Sequence, residues 1–375
     1  MIKNSAFLMI GILVFLLASC ATGKGSLQGT GVYELALVTD SSTDDDNSFV
    51  QGSWEGLVQF AKEKNISHKF YRPAEENEAA YLAIIDLAVE NGARIIVAPG
   101  FFFEVPVFIA QYKYPNVRFI LVDSVPRSPA PPVETQNNAA AQNPPYRTAN
   151  NTVGILYAED QAGFLAGYAA VKDGYRRLGF MGGVAVAPVA RFGCGFIQGA
   201  EYAAEELGLE PGAITINYHY TGSFLASPQV QSLASSWYSH GTELIFACGG
   251  AIGNSVMAAA EQAYKKVIGV DVDQSAVSPS VVTSALKGLQ ASVYACIASF
   301  YSGRFPGGQI LVFSAANSGV GLPMGSSRFM NFTKGDYDTI LQKLVDGSVP
   351  RLERLDSEGS PMIVPVTISK IEVQK

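Results

Sequence analysis

From Val32 onward, short and nearly continuous apolar runs alternate with stretches of helical period. "YELALVT" reads as a buried strand, and Trp54, Leu57, Val58 and Ala61 then recur at i, i+3, i+4 and i+7, one apolar stripe on a helix. "HKFYRP" predicts a second strand, residues 76 to 91 a second helix, "RIIVAPG" a third strand and "VRFILVD" a fourth. Strands that alternate with helices and are apolar on both faces belong to a parallel sheet covered on both sides.

Residues 126 to 150 break this rhythm with six prolines and many Asn and Ala, which predicts a solvated insertion without a core of its own. The alternation then restarts with "TVGILYA", a helix over 160 to 172, "LGFMGG", a helix over 196 to 207 and "ITINYHY". Val230, Leu233, Ala234 and Trp237 give another helical stripe, and "ELIFACGG", "KVIGVDVD" and "VVTSALK" read as buried strands. A helix to about 303, a strand near "GQILVFS", a helix carrying Tyr337, Ile340, Leu341 and Leu344, and the strand "MIVPVTI" complete the chain.

Two successive sets of this kind predict an α/β protein of two doubly wound, Rossmann-like lobes joined by a hinge. The first lobe is expected to span 32–155 plus about 272–315, and the second 156–271 plus about 316–375. In open α/β sheets ligands sit beyond the carboxyl ends of the strands, so the cleft between the lobes is the place to search. A hinge of several crossing segments permits closure on a ligand.

Composition agrees with two domains: 375 residues, 48% apolar and 16% charged, exceed what one core usually holds. A net charge of -7 without a basic stripe argues against nucleic acid. The start of the chain bears on compartment. Lys3 precedes a twelve-residue apolar run, Ala6 to Leu17, too short for a permanent bilayer span, and "LASC" follows at Leu17 to Cys20. Small residues before a cysteine resemble a bacterial lipobox, which makes 1–20 a signal peptide, Cys20 the lipidated first mature residue and 21–31 a tether. An ordinary secretory signal with a chance cysteine is the alternative.

Cys194, Cys248 and Cys296 show no CxxC spacing and stand among small or apolar neighbours, so buried thiols are expected, with a Cys248–Cys296 pair left open. The three histidines lie in unrelated settings, and no metal site, catalytic triad or cofactor is legible. "DSSTDDDNS" invites a calcium-loop reading from Asp40, but it lacks glycine at the sixth position and glutamate at the twelfth, where Gln51 stands. Neither GxGxxG, the Walker pattern nor G-x-S-x-G occurs at "GCGFIQG", "CGGAIGN" or "GSSRF".

The informative strand ends are Asp40 with the acidic run to Asp46, "APGFFF", Asp123, "MGG", "CGGAIG" with Gly250 at its centre, and "GVDVDQ". Carboxylates accept hydroxyl or amino protons, glycines admit close backbone donors, and rings cover a π-face, a palette suited to a small polar aromatic solute. Asp271 and Asp273 alternate along a strand, so one of them should face a given cleft.

In this order, "TDSSTDDDNSFVQGSWEGL", "YPNVRFILVD", "EDQAGFLAGYAA", "LGFMGG" with "RFGCGFIQGAEYA", "ELIFACGGAIGNSV", "VIGVDVDQ" and "VVTSALK" resemble the basic membrane protein family of substrate-binding lipoproteins, a group that includes purine nucleoside receptor A. The resemblance covers nearly the whole mature chain. It implies type I periplasmic binding protein architecture and a lipid-anchored receptor, facing the periplasm or cell exterior, that hands a purine nucleoside to an ABC permease. It further implies that Asp40 and Phe49 meet the base, that Phe192 stacks on it, that Asp271 holds ribose hydroxyls, and that Lys287 and Asp46 stand at ligand-binding positions. Phe49 and Phe192 as lobe core, Trp54 as core and Lys287 as partner of a neighbouring carboxylate are the bland readings beside these. Val50 stands where the family has Asn, and "APGFFF" is more aromatic than usual. A sensory receptor of the same fold, or a nucleoside hydrolase, is the alternative function; no activated nucleophile supports the hydrolase.

Overall fold

The computed structural model describes residues 32–40, 48–129, 146–349, 352 and 370–374. The chain first lays down β1 (Leu35–Val38), α1 (Phe49–Lys64), β2 (His68–Tyr71), α2 (Glu78–Glu90), β3 (Ile95–Pro99), α3 (Glu104–Lys113), β4 (Arg118–Val122) and β5 (Thr152–Tyr157). A second set follows: α4 (Glu159–Lys172), β6 (Arg177–Gly182), α5 (Ala187–Glu206), β7 (Ile214–Tyr220), α6 (Pro228–Ser239), β8 (Leu244–Cys248), α7 (Ile252–Ala263), β9 (Lys266–Asp271) and β10 (Val281–Lys287). The remainder holds α8 (Leu289–Tyr301), β11 (Ile310–Phe313), β12 (Val320–Gly321), α9 (Lys334–Val345) and β13 (Ile371–Gln374).

These strands form two sheets, ordered β11-β5-β4-β3-β1-β2 and β12-β10-β9-β8-β6-β7-β13. Among the described residues the paired strands run parallel except β12, which is antiparallel to β10. Successive strand residues face opposite sides, as the pleat requires. Leu35, Leu37, Ile95, Val97, Ile120 and Val122 join one core, while Ala36, Val38, Ile96, Ala98, Phe119 and Leu121 join another beneath α2 and α3. The second sheet repeats this, with Leu178, Phe180, Leu244, Phe246, Ile268 and Val270 on one side and Met181, Ile245, Ala247 and Val267 on the other. Both faces are therefore dry, which explains the continuous apolar runs in the sequence.

The expected lobe boundary is corrected at β10. Residues 281–287 were expected in the first lobe, but β10 pairs with β9 in the second sheet, with Leu286 opposite Asp271. An apolar run announces a buried strand without saying which sheet it joins. The chain passes to α8 only after Lys287, and α8 packs on α1 of the first lobe. With the passage from β5 to α4 and from β11 to β12, the described residues cross between lobes three times.

Two helices are longer or newer than the periodicity predicts. The helix expected over 196–207 is α5, which starts at Ala187. Pro188 is tolerated in its first turn, where no intrahelical donor is needed. Its glycines serve helix contact: a Cβ on Gly195 or Gly199 would lie 2.0 Å from the backbone oxygen of Asp160 or Phe164 on α4. Gly163 and Gly167 of α4 meet α5 in the same way, at 2.1 and 2.0 Å from Phe192 O and Phe196 O. The helix α3 was not predicted, because Pro106 in its first turn disguises the period. Trp54 packs its ring on His68 and Phe70 of β2, at 5.6 and 5.4 Å between centroids, and holds α1 to the sheet. The expected strand "MIVPVTI" and most of the 126–150 insertion lie outside the described residues.

Candidate functional site

The carboxyl ends of β1, β3 and β4 in one sheet and of β8, β9 and β10 in the other open onto one cavity of about 760 Å³, counting the part open to solvent. The first lobe contributes Asp40, Phe49, Val50, Phe101, Phe102 and Asp123. The second contributes Phe192, Phe224, Cys248, Gly250, Asp271 and Lys287. Every sequence-predicted site residue within the described part, Asp40, Phe49, Phe192, Gly250, Asp271 and Lys287, lines this space. Asp46 and Cys20 lie outside the described residues.

Strand ends dictate the local geometry. Asp123 and Asp271 both take a left-handed backbone, with φ of 64° and 67°, a conformation that costs most residues energy and is tolerated best by Gly, Asn and Asp. This turn swings each carboxylate away from its sheet toward the opposite lobe. Gly100 and Gly250, at φ 97° and 58°, let the chain turn sharply after β3 and β8. Asp40 follows β1 and is half-buried, with Thr39 Oγ1 donating to its Oδ1 at 3.3 Å. Asp273 faces away and accepts from the Ser275 N–H and Ser326 Oγ, so Asp271 alone of that pair lines the cavity.

At the cleft floor, Lys287 is the hub. Its Nζ donates to Asp123 Oδ2 at 2.7 Å and stands 3.4 Å from Glu159 Oε1 and 3.8 Å from Asp271 Oδ1. Ser48 Oγ donates to Asp271 Oδ2 at 2.7 Å, and Arg191 Nη1 donates to Glu159 Oε2 at 2.9 Å. Two of these bonds cross the cleft in opposite senses, from Ser48 to Asp271 and from Lys287 to Asp123. Burial alone would lower the lysine's pKa, but Asp123, Glu159 and Asp271 outweigh it and raise it. Burial pushes Asp271 up against the pull of Lys287 and the Ser48 hydrogen bond. The ammonium also sits 5.3, 5.6 and 5.2 Å from the ring centres of Phe49, Tyr157 and Phe192.

The aromatic residues divide by exposure. Phe192 is only 2% exposed and packs edge-on to Phe246, so it forms floor rather than open platform. Phe224, in the loop after β7, is half-buried and lies against Gly183, Gly249 and Gly250, where an added Cβ would approach its ring or backbone. Sequence reading missed Phe224; an aromatic residue inside the "TGSF" loop just past a strand was the available signal. Glu159 and Arg191 were missed as well, since each lies on a helix whose motif is dominated by small residues. Cys194, Cys248 and Cys296 are free and buried, so the Cys248–Cys296 pair is not formed. Burial raises the Cys248 thiol well above its ordinary range, which makes it inert. Among the described residues no group of His, Cys, Asp and Glu could hold a metal ion.

Two doubly wound lobes with strand ends converging on a shared cleft define a type I periplasmic binding protein, the architecture of extracytoplasmic solute receptors. Solved structures with this fold include an ABC transporter solute-binding protein from Aeropyrum pernix, 20% identical with a TM-score of 0.70 over 86% of this chain and 94% of that one. A second, from Conexibacter woesei, is 18% identical with a TM-score of 0.64 over 84% and 98%. The sequence profile of the Bmp family, PnrA-like ABC transporter substrate-binding proteins, matches residues 33–347, and the chain belongs to that family. Relatives include the ABC transporter nucleoside-binding protein BmpA of Lactococcus lactis subsp. cremoris, 26% identical over 84% of this chain and 89% of that protein. Basic membrane protein A2 of Borrelia garinii subsp. bavariensis is 25% identical over 92% and 95%. The family is one of ABC transporter substrate-binding proteins.

Proposed function

We propose that this receptor captures a purine nucleoside in the interlobe cleft and delivers it to an ABC permease while anchored to the membrane through lipid on Cys20. The observation that carries the reading is the pairing, in one cavity, of ring faces from both lobes with buried hydroxyl-accepting carboxylates. Phe49 and Phe224 flank the base, Asp40 accepts from its N–H edge, and Asp271 with Lys287 takes the ribose hydroxyls. Phe192 serves beneath them as the wall that holds Lys287. A nucleoside relative among the matched proteins supports the solute class. No helix among the described residues is long and apolar enough to cross a membrane, which is compatible with anchoring by acyl chains.

Mass spectrometry of the small molecule released on denaturing the purified protein, with calorimetry against inosine, adenosine and guanosine, tests this. Stacking on one ring is worth about 1–3 kcal/mol per base, so Phe224→Ala should weaken binding by about 5- to 150-fold. Asp40→Ala should remove measurable binding. A released solute without a purine, or unchanged affinity in Asp40→Ala, overturns the assignment.

A further inference from the structure

Five charged groups meet under the cleft and do not sum to zero. Asp123 comes from the first lobe, and Glu159, Arg191, Asp271 and Lys287 come from α4, α5, β9 and β10 of the second. Three carboxylates against two cations leave one excess negative charge if all ionise, even before Asp160, buried beside Arg191, is counted. Glu159 is wholly buried, and the side chains of Asp123, Asp271 and Lys287 are 8%, 7% and 3% exposed. An uncompensated charge at such depth costs several kcal/mol, so uptake of one proton is the cheaper state.

Two atoms locate that proton. Asp123 Oδ1 and Glu159 Oε1 are both buried and have no hydrogen-bond partner among the described residues. Both belong to carboxyl groups drawn to the same ammonium, at 2.7 Å through Asp123 Oδ2 and 3.4 Å through Glu159 Oε1. Two bare carboxylate oxygens only accept; with one proton between them both are satisfied. Asp271 is the weaker candidate, because its Oδ2 already accepts from Ser48.

We propose that Asp123 and Glu159 share one proton when the lobes are bridged, so that Glu159 acts as a positioning residue through Lys287 and solute capture is coupled to proton uptake. The electrostatics point the same way. Burial pushes the Asp123 carboxyl well above its usual range, with Glu159 adding to the rise and Lys287 opposing it. Burial would raise Glu159 too, but Lys287 and Arg191 together hold it below its usual value. The proton therefore resides on Asp123 and is donated to Glu159. The other titratable groups facing the cluster are Tyr157 and Cys248, both kept neutral by burial, and Asp160, which faces Arg191.

In the open state water reaches Asp123 and its pKa returns toward the ordinary aspartate range. Because the closed-state value is the higher one, closure is fully favoured below the ordinary range and weakens as pH rises through the raised value. Between the two, closing takes up about one proton, and affinity falls by up to about tenfold per pH unit. The binding arm of this inference rests on the solute site proposed above; the spectroscopic arm does not.

The test uses the purified full-length protein and Glu159→Gln, whose amide can donate to an ionised Asp123 and whose neutrality removes the excess charge. Infrared spectra of the wild type at neutral pH should show a protonated-carboxyl band that Glu159→Gln lacks. Adenosine calorimetry in buffers of different ionisation heat should give about one proton taken up by the wild type and none by the variant. A wild type without the band, or a variant that only loses stability while keeping band and pH slope, overturns the inference. If the band behaves as expected and no nucleoside gives heat, the shared proton stands and the nucleoside reading falls.

Discussion

The two lobes are built on the same strand order, β5-β4-β3-β1-β2 in one and β10-β9-β8-β6-β7 in the other, yet they equip the cleft differently. At the equivalent ends of β4 and β9 both place an aspartate with a left-handed backbone, Asp123 and Asp271. At the ends of β1 and β3 the first lobe offers Asp40 and the rings of Phe101 and Phe102; at β6 and β8 the second offers Gly183, Gly249 and Gly250 under Phe224. Beyond the shared aspartates, the first wall presents side chains at these strand ends, whereas the second presents glycine backbone that the Phe224 ring lies against. The difference teaches that a shared fold fixes where carboxylates can stand, while the residues after each strand decide what they meet. It also shows why the cation matters: Lys287, from the second lobe, answers carboxylates of both.

Removing that cation should produce the largest effect. Lys287→Met keeps bulk but leaves Asp123, Glu159 and Asp271 facing one another with Arg191 alone. Breaking a buried pair by deleting one partner costs about 3–5 kcal/mol, part of which protonation of a further carboxyl can recover at low pH. Thermal unfolding should show this loss at neutral pH and less of it in acid, and solute binding should disappear. A variant as stable as the wild type at neutral pH would refute the hub.

The helix pair behind each wall gives the next contrast. In the second lobe, a Cβ on Gly167 would sit 2.0 Å from Phe196 O, so neither helix can yield by turning a side chain. In the first lobe the contact of α1 with α8 is mixed: a Cβ on Gly56 would lie 2.4 Å from Gln290 O, whereas one on Gly52 meets side-chain carbons of Leu289 and Val272 at 2.9 Å, which can shift. Overpacking costs about 1–3 kcal/mol, and Gly167→Val belongs at or above the top of that range while Gly52→Ala belongs near the bottom. Denaturant midpoints of the two variants measure the difference directly; equal losses would mean that the side chains around Gly52 give no more readily than the backbone beside Gly167.

These features differ in how far the chain announces them. Alternation of apolar runs and helical stripes made most strands readable, because burial of both sheet faces leaves a direct compositional trace. Sheet membership left none, which is why β10 was expected in the wrong lobe. Asp40, Phe49, Asp271 and Lys287 were legible as strand-end or motif residues, and they meet in one cavity. Phe224 and the pair Glu159–Arg191 were not, since a loop aromatic and charges within small-residue helices become meaningful only once distant segments are brought together. The glycines of α5 were weighed only as a phosphate-loop pattern, because close approach of two helices leaves no signature separate from the glycines themselves.

The smallest expected effect isolates the reciprocal bridging of the lobes. Ser48 of the first lobe donates to Asp271 of the second, while Lys287 of the second donates to Asp123 of the first. Ser48→Ala removes one of these two bonds without removing a charge. A hydrogen bond to a charged group is worth about 1.5–3 kcal/mol, but the carboxylate keeps Lys287 3.8 Å from its other oxygen, Oδ1, so about 1–2 kcal/mol is expected. Solute affinity should fall by about 5- to 30-fold, through a faster off-rate, because the bond exists only when the lobes meet. Stability of the solute-free protein should change less than affinity does. If instead unfolding shifts as far as binding does, Ser48 supports the first lobe by itself and the bridging is one-sided.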